Sequence, residues 1–133
     1  MISGLDQEQL DNLAKEYDLN FLVLFGSRAV GSDREDSDFD IAYSGKRKLS
    51  YSEETFLTEK LARLLGTSPN KIDPVNTADA GPLLARQIAL EAEILSELKE
   101  NSFDLFQMYA FSRYFDSKFL LDLQKENVEK GLK

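Results

Sequence analysis

A continuous apolar run constrains the fold more than any other feature of this sequence. Residues 20–25, Asn-Phe-Leu-Val-Leu-Phe, show no polar alternation, and Gly26 follows them directly. A strand with one solvent-facing side alternates polar and apolar residues, whereas a strand covered on both sides is apolar throughout. We therefore expect residues 20–25 to form a strand that is buried on both faces and ends in a glycine turn.

The patterns around this strand predict several helices. A helix is indicated by apolar residues at helical spacing, by polar residues at its start and by a glycine after its last turn. The predicted helices cover residues 5–17, a short turn at residues 27–31, residues 52–65 with Ser52 at the start and Gly66 as C-cap, residues 82–91 and, as one helix or two, roughly residues 103–130.

Three further segments, residues 38–43, 71–76 and 93–96, have strand patterns. Pro74 lies in the second of them and lacks an N–H for a central ladder, so we expect this segment at a sheet edge or at a strand beginning. Neither a repeat nor a linker interrupts the chain. We therefore expect one domain over residues 1–133, with the catalytic sheet over about residues 20–97 and a C-terminal helical segment over about residues 101–130.

The turn after the first strand has the composition of a phosphate-binding turn. Gly26 lets the backbone approach a triphosphate closely, and the N–H groups at the start of the following helical turn favour anions. The Ser27 hydroxyl can add a hydrogen bond, and Arg28 can neutralise phosphate charge. Gly26, Ser27 and Arg28 are therefore the predicted nucleotide-binding residues.

Two aspartates follow ten residues after this turn, in the sequence Asp38-Phe39-Asp40. On a strand, residues two apart share a face at a separation of roughly 7 Å. Two carboxylates about 4 Å apart repel each other by roughly 4 kcal/mol at an effective dielectric of about 20, and an Mg²⁺ ion between them reverses the sign. Asp38 and Asp40 are therefore predicted magnesium ligands.

A two-metal site stabilises both the attacking and the leaving oxygen of an in-line displacement, and it normally needs a third carboxylate. Asp73, on the next predicted strand, is the candidate for this ligand. It would also help to remove the proton of the acceptor hydroxyl, because a chain without His must give that task to another group.

Composition narrows the chemistry and the partners. The chain contains neither Cys nor His, so thiolate and imidazole chemistry are excluded. Its net charge of −8 is the wrong sign for attraction to a phosphate backbone, which disfavours nucleic acid as a partner. A basic region followed by an apolar run is missing at the N-terminus, and no apolar segment reaches membrane-spanning length. We expect a cytoplasmic protein that does not bind membranes.

The residues around the turn and the aspartates resemble a known signature. Residues 25–31, Phe-Gly-Ser-Arg-Ala-Val-Gly, and residues 37–41, Ser-Asp-Phe-Asp-Ile, look like the motif of the DNA polymerase beta nucleotidyltransferase superfamily. More narrowly, they resemble the minimal nucleotidyltransferase (MNT) antitoxins encoded beside HEPN ribonuclease toxins. The similarity continues through residues 72–76 and 82–86 to the C-terminal helical segment.

The resemblance implies a fold, a site and an activity. The fold is α/β (α+β), with a small mixed sheet flanked by helices. Gly26 and Ser27 would hold the triphosphate, Asp38 and Asp40 would bind both metal ions, and Asp73 would be the third carboxylate. The implied reaction is transfer of AMP from ATP, with Mg²⁺ or with Mn²⁺ in its place, to a partner HEPN toxin. The acceptor is typically a tyrosine, and the transfer silences the toxin.

Other functions fit the same residues. The chain could neutralise its toxin by contact alone, with a vestigial nucleotide site, or transfer a nucleotide to a small molecule such as an aminoglycoside. In the plainest alternative, Gly26 only forms a turn and the aspartates only solvate a loop edge.

Half of the fourteen aromatic residues lie in the C-terminal helical segment. Their directions are too many for a single core stripe, so some could face a partner in a homo- or hetero-oligomer, although all could also cover the sheet. They are Phe103, Phe106, Tyr109, Phe111, Tyr114, Phe115 and Phe119.

Overall fold

The computed structural model describes residues 4–31 and 37–131, without the side chains of residues 117, 119, 120 and 126–131. In these ranges the chain forms helices, strands and two short 3-10 turns, Pro69–Lys71 and Thr77–Asp79. The elements are α1 (Gln7–Glu16), β1 (Leu19–Phe25), α2 (Ser27–Val30), β2 (Phe39–Gly45), α3 (Tyr51–Leu65), β3 (Ile72–Asn76), α4 (Pro82–Glu91), β4 (Glu93–Glu97) and α5 (Ser102–Gly131).

The strands form one mixed sheet in the order β3-β2-β1-β4. β1 runs antiparallel to both β2 and β4, whereas β2 and β3 are parallel. β3 therefore lies at an edge, as Pro74 predicts, and Pro74 keeps its register opposite Ile41. The α/β fold class predicted from the sequence is confirmed.

Strand β1 separates two apolar layers. On one face, Leu22 and Leu24 pack with α1 and α3. On the other face, Phe21, Val23 and Phe25 pack with α4 and α5. The prediction that this strand is buried on both faces is confirmed, and the sheet is the middle layer of a three-layer molecule.

Helix α3, in the α1/α3 layer, has a well-formed cap at each end. Ser50 accepts a hydrogen bond from the Glu53 N–H at 3.1 Å, and the Glu53 carboxylate accepts one from the Ser50 N–H at 3.0 Å. This reciprocal pair requires a spacing of three residues, so the helix starts after Ser50 and the prediction that Ser52 starts it is wrong. Gly66 caps the other end with φ +69°, as predicted.

The C-terminal segment is one continuous helix, and its aromatic residues divide between two directions. Phe103 and Phe106 pack against Phe21 with ring centroids 5.2 and 5.5 Å away, and Phe111 lies against the same layer. Exposed on the outer side are Leu105, Met108, Tyr109 and Phe115, which we call the α5 stripe. Tyr114 is half-buried beneath the Arg86 guanidinium, and the side chain of Phe119 lies outside the described residues.

Within residues 4–31 and 37–131, the helices are all too short or too polar to span a bilayer.

Candidate active site

The turn after β1 requires glycine for two separate reasons. Gly26 has φ +79°, which side-chain-bearing residues rarely adopt. A Cβ atom at this position would also overlap the Asp40 carboxylate oxygen Oδ2. The backbone of Gly26 and the carboxylate of Asp40 are therefore in direct contact, which joins the two halves of the predicted motif.

Register places two of the predicted carboxylates side by side. Asp40 of β2 lies opposite Asp73 of the parallel strand β3, and neighbouring strands are about 4.8 Å apart. Two residues further on, Ala42 and Val75 belong to the α4/α5 layer. Since side chains alternate along a strand, Asp40 and Asp73 both point to the α4/α5 face.

The third predicted carboxylate, Asp38, comes immediately before β2 and is exposed. Asp73 is exposed as well, because β3 is an edge strand, whereas Asp40 is half-buried between them and Gly26. The structure thus brings Asp38, Asp40 and Asp73 to one end of the sheet, at the turn that starts with Gly26.

Burial and negative neighbours oppose ionisation of Asp40. Desolvation raises the pKa of Asp40 most, and the charges of Asp73, Asp38 and Glu91 raise it further, in that order. Each of these effects disfavours a carboxylate at this position in the free protein. A bound cation would act in the opposite direction.

Glu91, the last residue of α4, is a member of this site that sequence reasoning missed. Its Oε2 accepts a hydrogen bond from the Gly26 N–H at 3.0 Å and one from the Gln87 side-chain amide at 3.2 Å. A carboxylate at a helix C-terminus is disfavoured by the helix dipole, and α4 has no basic residue in its last turn. This unfavourable placement of a carboxylate is the feature from which a role for Glu91 could have been predicted.

Arg28 connects α2 with the segment that leads into Asp38. Its Nε and Nη2 donate hydrogen bonds to the Ser37 carbonyl oxygen at 2.9 and 2.7 Å. Its guanidinium carbon lies 4.0 Å from the centroid of the Phe39 ring. In the described contacts, Arg28 positions the backbone beside Asp38, and its predicted contact with phosphate stays a prediction.

The donor set suits a hard divalent cation. The acidic residues of the site, Asp38, Asp40, Asp73 and Glu91, offer carboxylate oxygens, which are the ligands that Mg²⁺ prefers. A bound cation would also offset the burial and the negative charges that raise the pKa of Asp40. Among the described residues, no three acidic side chains are arranged closely enough to form a ready-made metal site. The chemistry of the donors therefore fits, while closure of the ligand set requires side-chain movement.

Comparisons with known proteins find similarity over most of the chain. The sequence profile of the family described as polymerase beta, nucleotidyltransferase matches residues 8–101. The protein adenylyltransferase MntA of Aphanizomenon flos-aquae (strain 2012/KM1/D3) is 30% identical over 138 residues, which cover 98% of this chain and 92% of that relative.

Solved structures share the fold. A toxin–antitoxin structure with AMP-PNP superposes with a TM-score of 0.70 at 23% identity, covering 97% of this chain and 100% of the other. The MNT antitoxin structure with a tri-AMPylated Shewanella oneidensis HEPN toxin gives a TM-score of 0.61 at 22% identity, covering 96% of this chain and 100% of the other. The described residues therefore share the fold of these structures, which cover 96–97% of the chain.

Proposed function

The chain belongs to the polymerase beta nucleotidyltransferase family, and we propose that it is a protein adenylyltransferase that transfers AMP from ATP to a HEPN ribonuclease toxin and thereby acts as its antitoxin. The observation that carries this proposal is the register of Asp40 beside Asp73, with the Asp40 carboxylate against the backbone of Gly26. The site occupies the end of a single domain.

Each site residue has a role in this reaction. Gly26 and Ser27 would hold the triphosphate, with Arg28 beside them, and Asp38, Asp40 and Asp73 would hold Mg²⁺. When bound, Mg²⁺ supplies positive charge that offsets the carboxylates and the phosphate oxygens. Asp73, the third carboxylate, accepts the proton of the acceptor hydroxyl. The acceptor oxygen bonds to the α-phosphorus, the bond from that phosphorus to the bridging oxygen breaks, and pyrophosphate leaves.

A protein acceptor fits the shape of the site. Asp73 lies exposed on the edge strand β3, so a hydroxyl carried on a large partner, such as a tyrosine side chain, can approach it. The net charge of −8 disfavours nucleic acid, and the exposed α5 stripe offers apolar area to a protein. The proposed location is the cytoplasm, where ATP is available.

The test is transfer of label from α-labelled ATP in the presence of Mg²⁺ and the HEPN protein encoded beside this chain. Wild type should label the partner, and Asp38→Ala plus Asp40→Ala should reduce the rate by about three orders of magnitude. The matched control is Glu8→Ala plus Glu59→Ala, which removes two exposed carboxylates from the α1/α3 face and should leave transfer unchanged.

Two other results would replace the proposal. Equal neutralisation of the toxin by wild type and by the Asp38/Asp40 variant, without label on the partner, would show a binding antitoxin. The exposed α5 stripe favours this second function. Label on an added aminoglycoside, and none on the partner, would instead show a small-molecule nucleotidyltransferase.

A further inference from the structure

We propose that Glu91 is a positioning residue that holds the phosphate-binding turn through the backbone N–H of Gly26. This inference rests on the proposed function only for its consequence, which is the affinity for ATP. The contact itself is present in the structure and does not depend on that function.

Gly26 needs an acceptor that the sheet does not provide. The last pair between β1 and β2 is Phe25 with Asp40, so Gly26 lies beyond the ladder. It also precedes α2, whose Ala29 and Val30 N–H groups bond to its carbonyl oxygen, which leaves the N–H of Gly26 outside the helix. Gly26 is buried, and a buried N–H without an acceptor costs about 1–3 kcal/mol. Glu91 Oε2 supplies this acceptor at 3.0 Å.

The position of Glu91 is electrostatically unfavourable in two respects. Its charge opposes ionisation of Asp40, and it stands at the negative end of the α4 dipole. Replacement by a neutral residue would relieve both effects. The hydrogen bond to Gly26 is the compensating interaction, and the Gln87 amide at 3.2 Å orients the same carboxylate oxygen.

Glu91 also holds the turn from an element other than β2. Asp40 contacts Gly26 from β2, whereas Glu91 reaches it from α4, so two elements meet at one glycine. Without Glu91, the backbone of Gly26 loses its anchor to α4, and the N–H groups that follow it lose their fixed direction toward a triphosphate. We expect weaker nucleotide binding as a result.

The experiment compares Glu91→Met, which keeps the side-chain length without the oxygen acceptor, with Glu91→Gln, which keeps an acceptor without the charge. The first measurement is amide hydrogen exchange of Gly26 by NMR in the free protein. Exchange should be about tenfold faster in Glu91→Met and within about threefold of wild type in Glu91→Gln. Leu90→Met changes the exposed neighbouring residue and should leave exchange at the wild-type rate.

The second measurement is the Kd of AMP-PNP in the presence of Mg²⁺. Glu91→Met should bind about tenfold more weakly, with most of the affinity restored in Glu91→Gln. Unchanged or tighter binding by Glu91→Met would overturn the proposal, since Glu91 would then be dispensable or would compete with the triphosphate for the Gly26 N–H. If Glu91→Met does not fold, Gln87→Ala replaces it, with an expected loss of about threefold; wild-type affinity there would overturn the proposal.

These readouts separate the inference from the proposed function. If wild type binds AMP-PNP but labels no partner, the proposed activity is wrong. The role of Glu91 is then still decided by the amide exchange of Gly26 and by the Kd of AMP-PNP. If wild type labels the partner and Gly26 exchange does not respond to Glu91, only the inference fails.

Discussion

The two faces of the sheet differ in what their residues do for the molecule. The α1/α3 face is apolar across the sheet, and both of its helices begin at a capping residue. At its surface Lys60 pairs with Glu16 at 2.6 Å. The α4/α5 face has an apolar centre too. At one end, however, Asp40 and Glu91 contact Gly26 while the charges of Asp38 and Asp73 act on Asp40, and the outer side of the face carries the α5 stripe. Features that disfavour the free protein are thus concentrated on one face.

This difference indicates a division between stability and function. On the α1/α3 face, each described feature lowers the free energy of the folded state. On the α4/α5 face, the negative charges around Asp40 raise it, and a bound ligand would compensate for this cost. Mutations of these features should therefore lower the stability of the protein on the α1/α3 face, and should change ligand or partner binding on the α4/α5 face.

The largest expected effect comes from the core of the α1/α3 face. Leu61 is fully buried, and Leu61→Ala should lower the free energy of unfolding by about 2–5 kcal/mol through lost contacts and a cavity. Denaturant unfolding measures this change. Phe56→Ala, on the same helix but 54% exposed, is the control and should cost much less. A similar loss of stability in both variants would contradict the conclusion that Leu61 belongs to the buried core of this face.

On the α5 stripe, a mutation should change partner binding and leave stability intact. Met108→Glu plus Tyr109→Glu places charge on two exposed residues and should weaken binding of the HEPN partner by about 2 kcal/mol. The Tm should change little, because exposed substitutions usually alter stability by about 0.5 kcal/mol or less. The control is Tyr51→Glu, since Tyr51 is 88% exposed on the opposite face. Undiminished partner binding by the double variant would remove the stripe from the interface.

The helix cap on the α1/α3 face should have a smaller effect. Ser50→Ala removes the acceptor of the Glu53 N–H and should lower the free energy of unfolding by about 1 kcal/mol. Ser52→Ala replaces an exposed serine in the first turn of the same helix and should change it by a few tenths of that value. Equal effects would mean that the reciprocal cap contributes nothing.

The smallest effect tests whether the site works against stability. The pKa of Asp40 is raised in the folded protein, so its stabilising contribution is complete below the unfolded pKa of about 4 and is lost as pH rises through the folded pKa. Asp40→Asn should therefore have a higher Tm than wild type at neutral pH without divalent cations, and this difference should vanish toward pH 4. Thermal unfolding against pH measures it, with Asp116→Asn, an exposed aspartate of α5, as control. A lower Tm for Asp40→Asn at pH 7 would contradict the electrostatic argument.

Much of the fold could be predicted because its local signals agree. The apolar run before Gly26 indicated a central strand, Pro74 indicated an edge, and the order of helices and strands followed from periodicity. The start of α3 was placed too late because two serines stand close together, and only the reciprocal contact with Glu53 selects Ser50.

The candidate site was predictable where its residues are close in sequence and not where they meet only in the folded chain. Gly26, Ser27, Asp38 and Asp40 form one short motif, whereas the neighbourhood of Asp73 depends on strand register. Glu91 reaches Gly26 across 65 positions, and no spacing rule connects them. Likewise, the direction of the Arg28 side chain toward the Ser37 carbonyl depends on where the chain returns to β2.

Pro74 has a further consequence for what can approach the β3 edge of the sheet. An exposed edge strand is a template on which other chains can add a strand, leading to aggregation. Pro74 stands in the middle of the five-residue strand β3 and offers no N–H, so an incoming strand would meet an incomplete ladder. Asp73 remains exposed next to it. This edge is thus protected against self-association while it stays accessible to a side chain presented by a folded protein.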